Sequence, residues 1–224
     1  MRPLAVHEWL LSAFVLVAGV TTLARAEGSL PSIFASYRVS NGNHEPEYLD
    51  LLRTDTRIEY RLRGGEVTEV WERDDRGELT HLKVFSKARR VVHYTSGDLR
   101  TLNLAPSWEE LGSLMRSEDR KKLTRRGTSR VAGEPAQRFA GLVDNAPATL
   151  LWLEHLGLPG QLTVGRGPKG NTVKLVGARP CSPDICAPFD ITGYREIEFA
   201  DLGDSEHDPF VRSFVAATGL GHAH

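Results

Sequence analysis

The tightest constraint on this chain is a series of short segments in which apolar residues recur at every second position between turn residues. Ile33, Ala35, Tyr37 and Val39 alternate with Phe34, Ser36, Arg38 and Ser40. That period puts successive side chains on opposite faces of an extended strand. Ile58, Tyr60 and Leu62 repeat it, with Arg57, Glu59 and Arg61 on the other face. Gly64-Gly65 marks a hairpin turn, residues 67–71 return, and Asp74-Asp75-Arg76-Gly77 turns again. Residues 79–85 and 90–95 complete a meander. Turn residues at intervals of about 8–12 positions mark neighbouring antiparallel strands.

One segment breaks the rhythm. Ser107 is a favourable helix N-cap, and Glu110 three residues on completes a capping box. Trp108, Leu111, Leu114 and Met115 share one helical face, while Glu109, Arg116, Asp119 and Arg120 face away. The pattern predicts a helix running to about Lys122 and packed on the sheet. Strands resume over 124–131 and 136–142, joined by a turn at Gly133-Glu134-Pro135. Residues 149–153 are apolar on both faces, as in a strand covered on both sides. Gly157-Leu158-Pro159-Gly160 turns the chain, and 162–164 pairs with 172–176 around the glycine-rich stretch 165–170. Tyr194, Ile197 and Phe199 fit either a strand or a short helix. Asp208-Pro209 opens a helix, with Asp208 as cap and Phe210, Val211, Phe214 and Val215 as its apolar stripe. The expected fold class is mainly β: a large antiparallel sheet curled into a half-open barrel, with two or more packing helices.

The first residues read as an export signal. Arg2 precedes an apolar run over 9–23, and Ala24-Arg25-Ala26 offers the small residues that a signal peptidase accepts. A spanning helix needs about 20 apolar residues, and no basic block follows to stop transfer. The expected organisation is a cleaved signal peptide over 1–26, a single domain over 27–217 and a flexible tail over 218–224. No cysteine follows the cleavage point to carry a lipid, so no integral membrane span or anchor is expected after cleavage, and the expected location is the periplasm. Cleavage removes Arg2, Arg25 and Glu8, two of 28 basic and one of 29 acidic residues, leaving a net charge of −2. That balance argues against nucleic acid as a partner, which calls for a basic face, and against a polybasic lipid-binding patch. Cys181 and Cys186 are the chain's two cysteines. In an oxidising compartment such a close pair is expected to form a local disulfide.

No catalytic residue is assigned. Ser107 and Ser182 lie in turn contexts without a nucleophile elbow, and His81 and His93 stand alone on predicted strands. The stretch 165–170 joins strands rather than opening a helix, so it is no phosphate cradle. Asp201, Asp204, Glu206, His207 and Asp208 match no calcium loop, and His222 and His224 end the tail. No metal or cofactor is expected. What remains is a sheet rich in aromatics: Trp71, Phe85, Tyr94, Phe139 and Trp152 all fall on predicted strands. They either fill an ordinary core or line an apolar groove.

The export signal, the meander containing Trp71, the helix after Ser107, the stretch Val131-Ala132-Gly133-Glu134-Pro135-Ala136, and Leu150-Leu151-Trp152-Leu153 followed by Gly157-Leu158-Pro159 together resemble one family. It is the periplasmic lipoprotein-carrier superfamily, with its LolA-, LolB- and RseB-like half-barrels, and the resemblance covers roughly residues 33–176. It implies an incomplete antiparallel barrel closed by helices, with a hydrophobic groove for acyl chains. Arg53, Arg57, Arg61 and Arg63 are alternatives for the arginine on which lipoprotein handover depends. The leading expectation is therefore a non-enzymatic exported carrier, whose partner is an apolar ligand or a lipidated protein and whose groove residues are the five aromatics named above. The alternatives are a structural or regulatory module that binds another envelope protein along a sheet edge, and a hydrolase of unrecognised type. Intact-mass measurement of the protein recovered from the cell envelope is expected to show a chain starting at Glu27; a mass including residues 1–26 would count against cleavage.

Overall fold

A computed structural model describes residues 30–42, 44–104, 106–166 and 170–218. The expected signal peptide over 1–26 and the histidines His222 and His224 lie outside them. The strands are β1 (Ile33–Asn41), β2 (Glu47–Arg53), β3 (Arg57–Leu62), β4 (Val67–Arg73), β5 (Leu79–Phe85), β6 (Arg90–Tyr94), β7 (Thr124–Val131), β8 (Glu134–Val143), β9 (Ala146–Leu153), β10 (Leu158–Val164), β11 (Asn171–Pro180) and β12 (Arg195–Glu198). The helices are α1 (Ser96–Thr101), α2 (Trp108–Ser113), α3 (Ser117–Lys122) and α4 (Pro209–Thr218), with a 3-10 helix over Phe199–Ser205. The expected fold class holds: the chain is mainly β, an open sheet in the order β12-β6-β5-β4-β3-β2-β1-β11-β10-β9-β8-β7 with short helices packed on it. Pairing is antiparallel except between β12 and β6, which run parallel. The described residues divide into two compact units, one within 1–63 and 106–187, the other within 64–105 and 188–224.

In the first unit, alternation puts Ile33, Ala35, Tyr37 and Val39 of β1 in the core beside Leu49 and Leu51 of β2 and Val173 and Leu175 of β11. Helices α2 and α3 cover this face through Leu111, Met115 and Leu123. The capping box of Ser107 and Glu110 forms as expected, but the predicted single helix is two. Leu114 takes a left-handed conformation (φ 54°), and Arg116 is extended before α3 begins. The cause is competition for carbonyls. The Tyr60 hydroxyl donates to Leu111 O and Arg53 Nη1 donates to Gly112 O at 2.5 Å. Those are the acceptors that a continuing helix would offer to Met115 and Arg116. Restarting changes the helical phase, so Asp119, expected to face outward, is buried between Arg116 (2.6 Å) and Lys122 (2.8 Å).

Arg53 is 1% exposed, and its guanidinium donates to three backbone carbonyls. These belong to Pro31 (3.1 and 3.0 Å), Leu156 (2.6 Å) and Gly112. Burial lowers its pKa to about 10, a pull only partly opposed by Tyr37 and Tyr60, so it remains a cation at neutral pH. Gly112 is needed there, because a Cβ would stand 2.9 Å from Arg53 Cδ.

The opposite face of β3 is not the polar exterior its sequence implies. Glu59 is fully buried between Arg57 (2.5 Å) and Arg61 (2.5 Å). The cysteine loop is tied to the same unit, with Arg61 donating to Ala187 O (2.7 Å) and Cys181 N to Ser32 O (3.2 Å). Cys181 and Cys186 are disulfide-bonded, as expected. So short a loop is worth about 2 kcal/mol.

Two turns are displaced from their expected places. The chain reverses at Ala132-Gly133, both at positive φ (50° and 86°), and Glu134 and Pro135 already belong to β8. It reverses again before Gly157 (φ 60°), so Leu158, Pro159 and Gly160 open β10. On β9, Ala148, Leu150 and Trp152 are buried while Thr149 is exposed, so one face rather than both is fully covered.

The second unit pairs β12, β6, β5 and β4. Val70, Leu82, Val84 and Val91 form a cluster on one face, packed by Phe189, Ile191 and Tyr194. The 3-10 helix and α4 cover the other face. Asp208 caps α4, accepting from Phe210 N (2.8 Å), as the sequence predicts. Helix α1 was not expected, although Thr95 and Asp98 form the same capping box as Ser107 and Glu110.

Replacing Arg53 with Ala is expected to cost about 3 kcal/mol or more in urea unfolding, because buried carbonyls lose their donors. Arg53→Lys should recover less than half of that loss, since an ammonium cannot reproduce the planar fork.

Candidate functional site

The helix-covered face of the first unit holds two of the expected groove residues, Trp152 and Phe139. Phe139 lies opposite Leu150 across the β8–β9 ladder, and both join Met115, Leu123, Val143, Ala148, Trp152 and Leu162 in one apolar cluster, with Val164 beside it. Tyr37 occupies the same face. It stands opposite Leu175 on β11, while Trp152 stands opposite Pro159 on β10. Strands β11 and β10 separate the two, which amounts to about 14 Å along the sheet at ordinary strand spacing. Arg120 of α3 lies over the Trp152 ring, 4.7 Å from its centroid, a cation–π contact that holds the cover to the sheet.

This face is apolar but not silent. Tyr37 Oη and Trp152 Nε1 are buried, and neither has a hydrogen-bond partner among the described residues. Asn171 Oδ1, near the end of the same face, is in the same state. Burial raises the Tyr37 pKa far above the ordinary phenol value, only weakly opposed by Arg53, so the hydroxyl keeps its proton. Most buried polar groups in folded proteins find a partner, and leaving one without costs about 1–3 kcal/mol. The face therefore presents two donors, a phenolic O–H and an indole N–H, set in hydrocarbon.

The other three expected groove residues lie in the second unit, on the face under the 3-10 helix and α4. Trp71 stacks on His81 (centroids 4.1 Å), His81 on Tyr94 (5.3 Å), and Tyr94 on Phe199 (4.7 Å). Phe85 meets Phe210 and Phe214 edge-on at 5.0 and 5.7 Å. Burial, with Glu69 and Asp98 nearby, raises the Tyr94 pKa above the usual range. His81 Nε2 contacts Glu69 Oε2, and Lys83 lies 3.6 Å from Glu69 Oε1. Sequence reasoning missed this buried pair because each residue stands alone in its strand. The β4–β5 register, which sets Trp71 opposite His81 and Glu69 opposite Lys83, is what joins them. With both ring faces stacked and Nε2 against a carboxylate, His81 serves as packing for the column.

The four arginines considered for handover differ sharply. Arg53 is part of the core, and Arg57 and Arg61 flank Glu59. Arg63 is the most exposed (52%) and reaches Asp50 (2.8 Å) and Ser36 (2.9 Å), with its guanidinium 5.5 Å from the Tyr48 centroid. Partial burial raises the Asp50 carboxyl, but hydrogen bonds from Arg63 and Ser36 outweigh it and hold the pKa below 3.8. In the acidic segment, Asp208 also faces Arg195 (3.3 Å) and Arg90 (3.7 Å). Among the described residues no group of three or more His, Cys, Asp or Glu side chains is placed to hold a metal ion. No described helix is long and apolar enough to cross a membrane.

No family model matches the chain, and no curated protein does. Solved structures with a similar fold include PNGF-II, 10% identical, covering 78% of this chain and 33% of that one, with a TM-score of 0.42. This chain thus spans about a third of that one's length. MucB in complex with MucA(peri) is 16% identical over 72% of this chain and 55% of that chain, with a TM-score of 0.42. A putative outer membrane lipoprotein-sorting protein domain from Vibrio parahaemolyticus is 11% identical over 78% and 90%, with a TM-score of 0.29. Likenesses this distant concern the fold alone.

The two tyrosines of the first unit should respond in opposite ways to loss of the hydroxyl. Tyr60→Phe removes a donor to Leu111 O and is expected to cost about 1 kcal/mol. Tyr37→Phe removes a hydroxyl without a partner and should leave stability unchanged or raise it by up to about 1 kcal/mol in the same urea titration.

Proposed function

We propose that this protein is an exported, periplasmic binding or carrier protein that shelters an apolar ligand, an acyl chain in kind, on the helix-covered face of its first unit. The observation that carries this reading is the pair of buried donors without partners among the described residues, Tyr37 Oη and Trp152 Nε1, on a largely apolar face. A ligand of aliphatic chain and oxygen-bearing head suits both features. Each methylene taken from water contributes about 0.8 kcal/mol, whereas a hydrogen bond adds a net of about 1 kcal/mol. The chain would therefore supply most of the affinity, and the donors would choose its position and head chemistry. Phe139 and Trp152 are the groove residues in this reading. Trp71, Phe85 and Tyr94 are proposed as an aromatic lining of the second unit, closed over by its helices. The export signal and the cysteine pair agree with a periplasmic setting.

Native mass spectrometry of protein purified from the envelope is expected to show a retained lipid mass. The delipidated protein should bind a polyene fatty acid such as parinaric acid, with energy transfer from Trp152. Trp152→Phe should abolish most of that transfer, and Tyr37→Phe should weaken binding by about fivefold, the loss of one hydrogen bond. A chain that retains no lipid and takes up no probe would overturn the proposal.

A further inference from the structure

Strand β7 is built unlike the rest of the first unit. Of its residues Thr124–Val131, all are exposed except the half-buried Ser129 and the buried Val131. Apart from Val131 at its end, the strand contributes nothing to the core, and the β8 ladder holds it in place. It ends the strand order, with β8 as its one neighbour, so its outer backbone groups form a free edge among the described residues. The charge there is also out of proportion. Between Lys121 and Arg138 the chain carries Lys121, Lys122, Arg125, Arg126, Arg130 and Arg138 against the single acid Glu134, although the whole chain has a net charge of −1. Arg125 lies opposite Phe139, Gly127 opposite Arg138 and Arg130 opposite Pro135, and a bulge leaves Arg126 unopposed. Arg125 and Arg130 therefore share the face of Phe139 and Pro135, and Arg138 of β8 lies on the other. Arg130 also donates to Gly133 O (2.8 Å), a neutral acceptor.

We propose that the β7 edge docks an extended acidic segment of another protein, which joins the sheet as an added strand. The backbone of the edge would supply the hydrogen-bond ladder, and the arginines would select acids at alternate positions of the incoming strand, on the face that Arg125 and Arg130 share. The same charges answer a second question. Edge strands tend to pair with copies of themselves, and charge is a common defence. Like charge repels a second β7 edge, and by the same Coulomb term it attracts an acidic strand. A guard against self-pairing and a selector for an acidic partner are here one set of residues. The docking groups are the outer backbone and exposed arginines of β7, whereas Tyr37 and Trp152 are buried on inner strands, so the two proposals rest on different observations.

The test uses the full mature protein and a fluorescein-labelled eight-residue peptide of alternating glutamate with threonine or valine, followed by anisotropy. Binding is expected, and it should weaken by about tenfold or more between 50 mM and 500 mM salt as the charges are screened. A peptide of the same sequence, N-methylated at alternate amides, keeps its charge but cannot complete a ladder; it should bind at least about tenfold more weakly. The triple variant Arg125→Glu, Arg126→Glu and Arg130→Glu should lose the acidic peptide while still taking up the fatty-acid probe. Equal binding of the N-methylated peptide would overturn strand addition, as would no binding of the parent peptide. Should the triple variant fail to fold by circular dichroism, the N-methylated peptide on the unaltered protein still decides.

Discussion

The first unit depends on a single buried cation. Removing a guanidinium from water costs several kcal/mol, and that cost is tolerable only when the donors are satisfied. Arg53 meets the condition with carbonyls from three separated stretches of chain, at Pro31, Gly112 and Leu156. Its position has consequences along the sequence. Taking Gly112 O, together with the Tyr60 hydroxyl on Leu111 O, ends α2 and forces α3 to restart in a new phase. The new phase buries Asp119, brings Met115 and Leu123 onto the apolar cluster, and lays Arg120 over Trp152. The cover of the proposed binding face is thus set by an arginine on the strand beneath it.

Residues of one chemical type have been put to different uses. Both Trp71 and Trp152 are buried with an indole N–H that has no partner among the described residues. Trp71 belongs to a stacked column whose rings fill their surroundings. Trp152 shares a largely apolar face with Tyr37, where neither donor has a partner among the described residues. An apolar face with sparse, well-placed polar groups is the usual make-up of a small-molecule site, which is why the functional reading rests on the first unit. At the far end of the strand order, β7 offers backbone groups and charge instead of apolar area, and the partner it suits is a polypeptide.

Much of the local structure was legible. The alternation of Ile33 to Val39 is strand β1, the turn at Asp74 to Gly77 lies where its residues imply, and Ser107 and Asp208 cap the helices they were expected to cap. The cysteine pair is bonded. The misreadings share a cause. Periodicity turned Asp119 away from the sheet and set Glu59 on the charged face of its strand, and an acid in either place is normally solvated. Each is buried because cations from its own segment neutralise it, Arg57 and Arg61 in one case and Arg116 and Lys122 in the other. Thr95 and Asp98 had the right spacing for a helix start, but Gly97 between them lowers helix propensity, and α1 went unread.

By itself, then, the sequence determined the periods, the caps, the turns and the local disulfide, since these depend on neighbours a few residues apart. It also placed Tyr37 and Trp152 on strands. Only the tertiary structure decided that β1 pairs with β11, that Arg53 would reach across 59 residues to Gly112 and 103 to Leu156, and that Glu69 and His81 would meet. Those outcomes depend on register and burial between distant segments. A buried charge or an unpartnered donor exists only once such segments have closed around it and removed the water that would otherwise satisfy it.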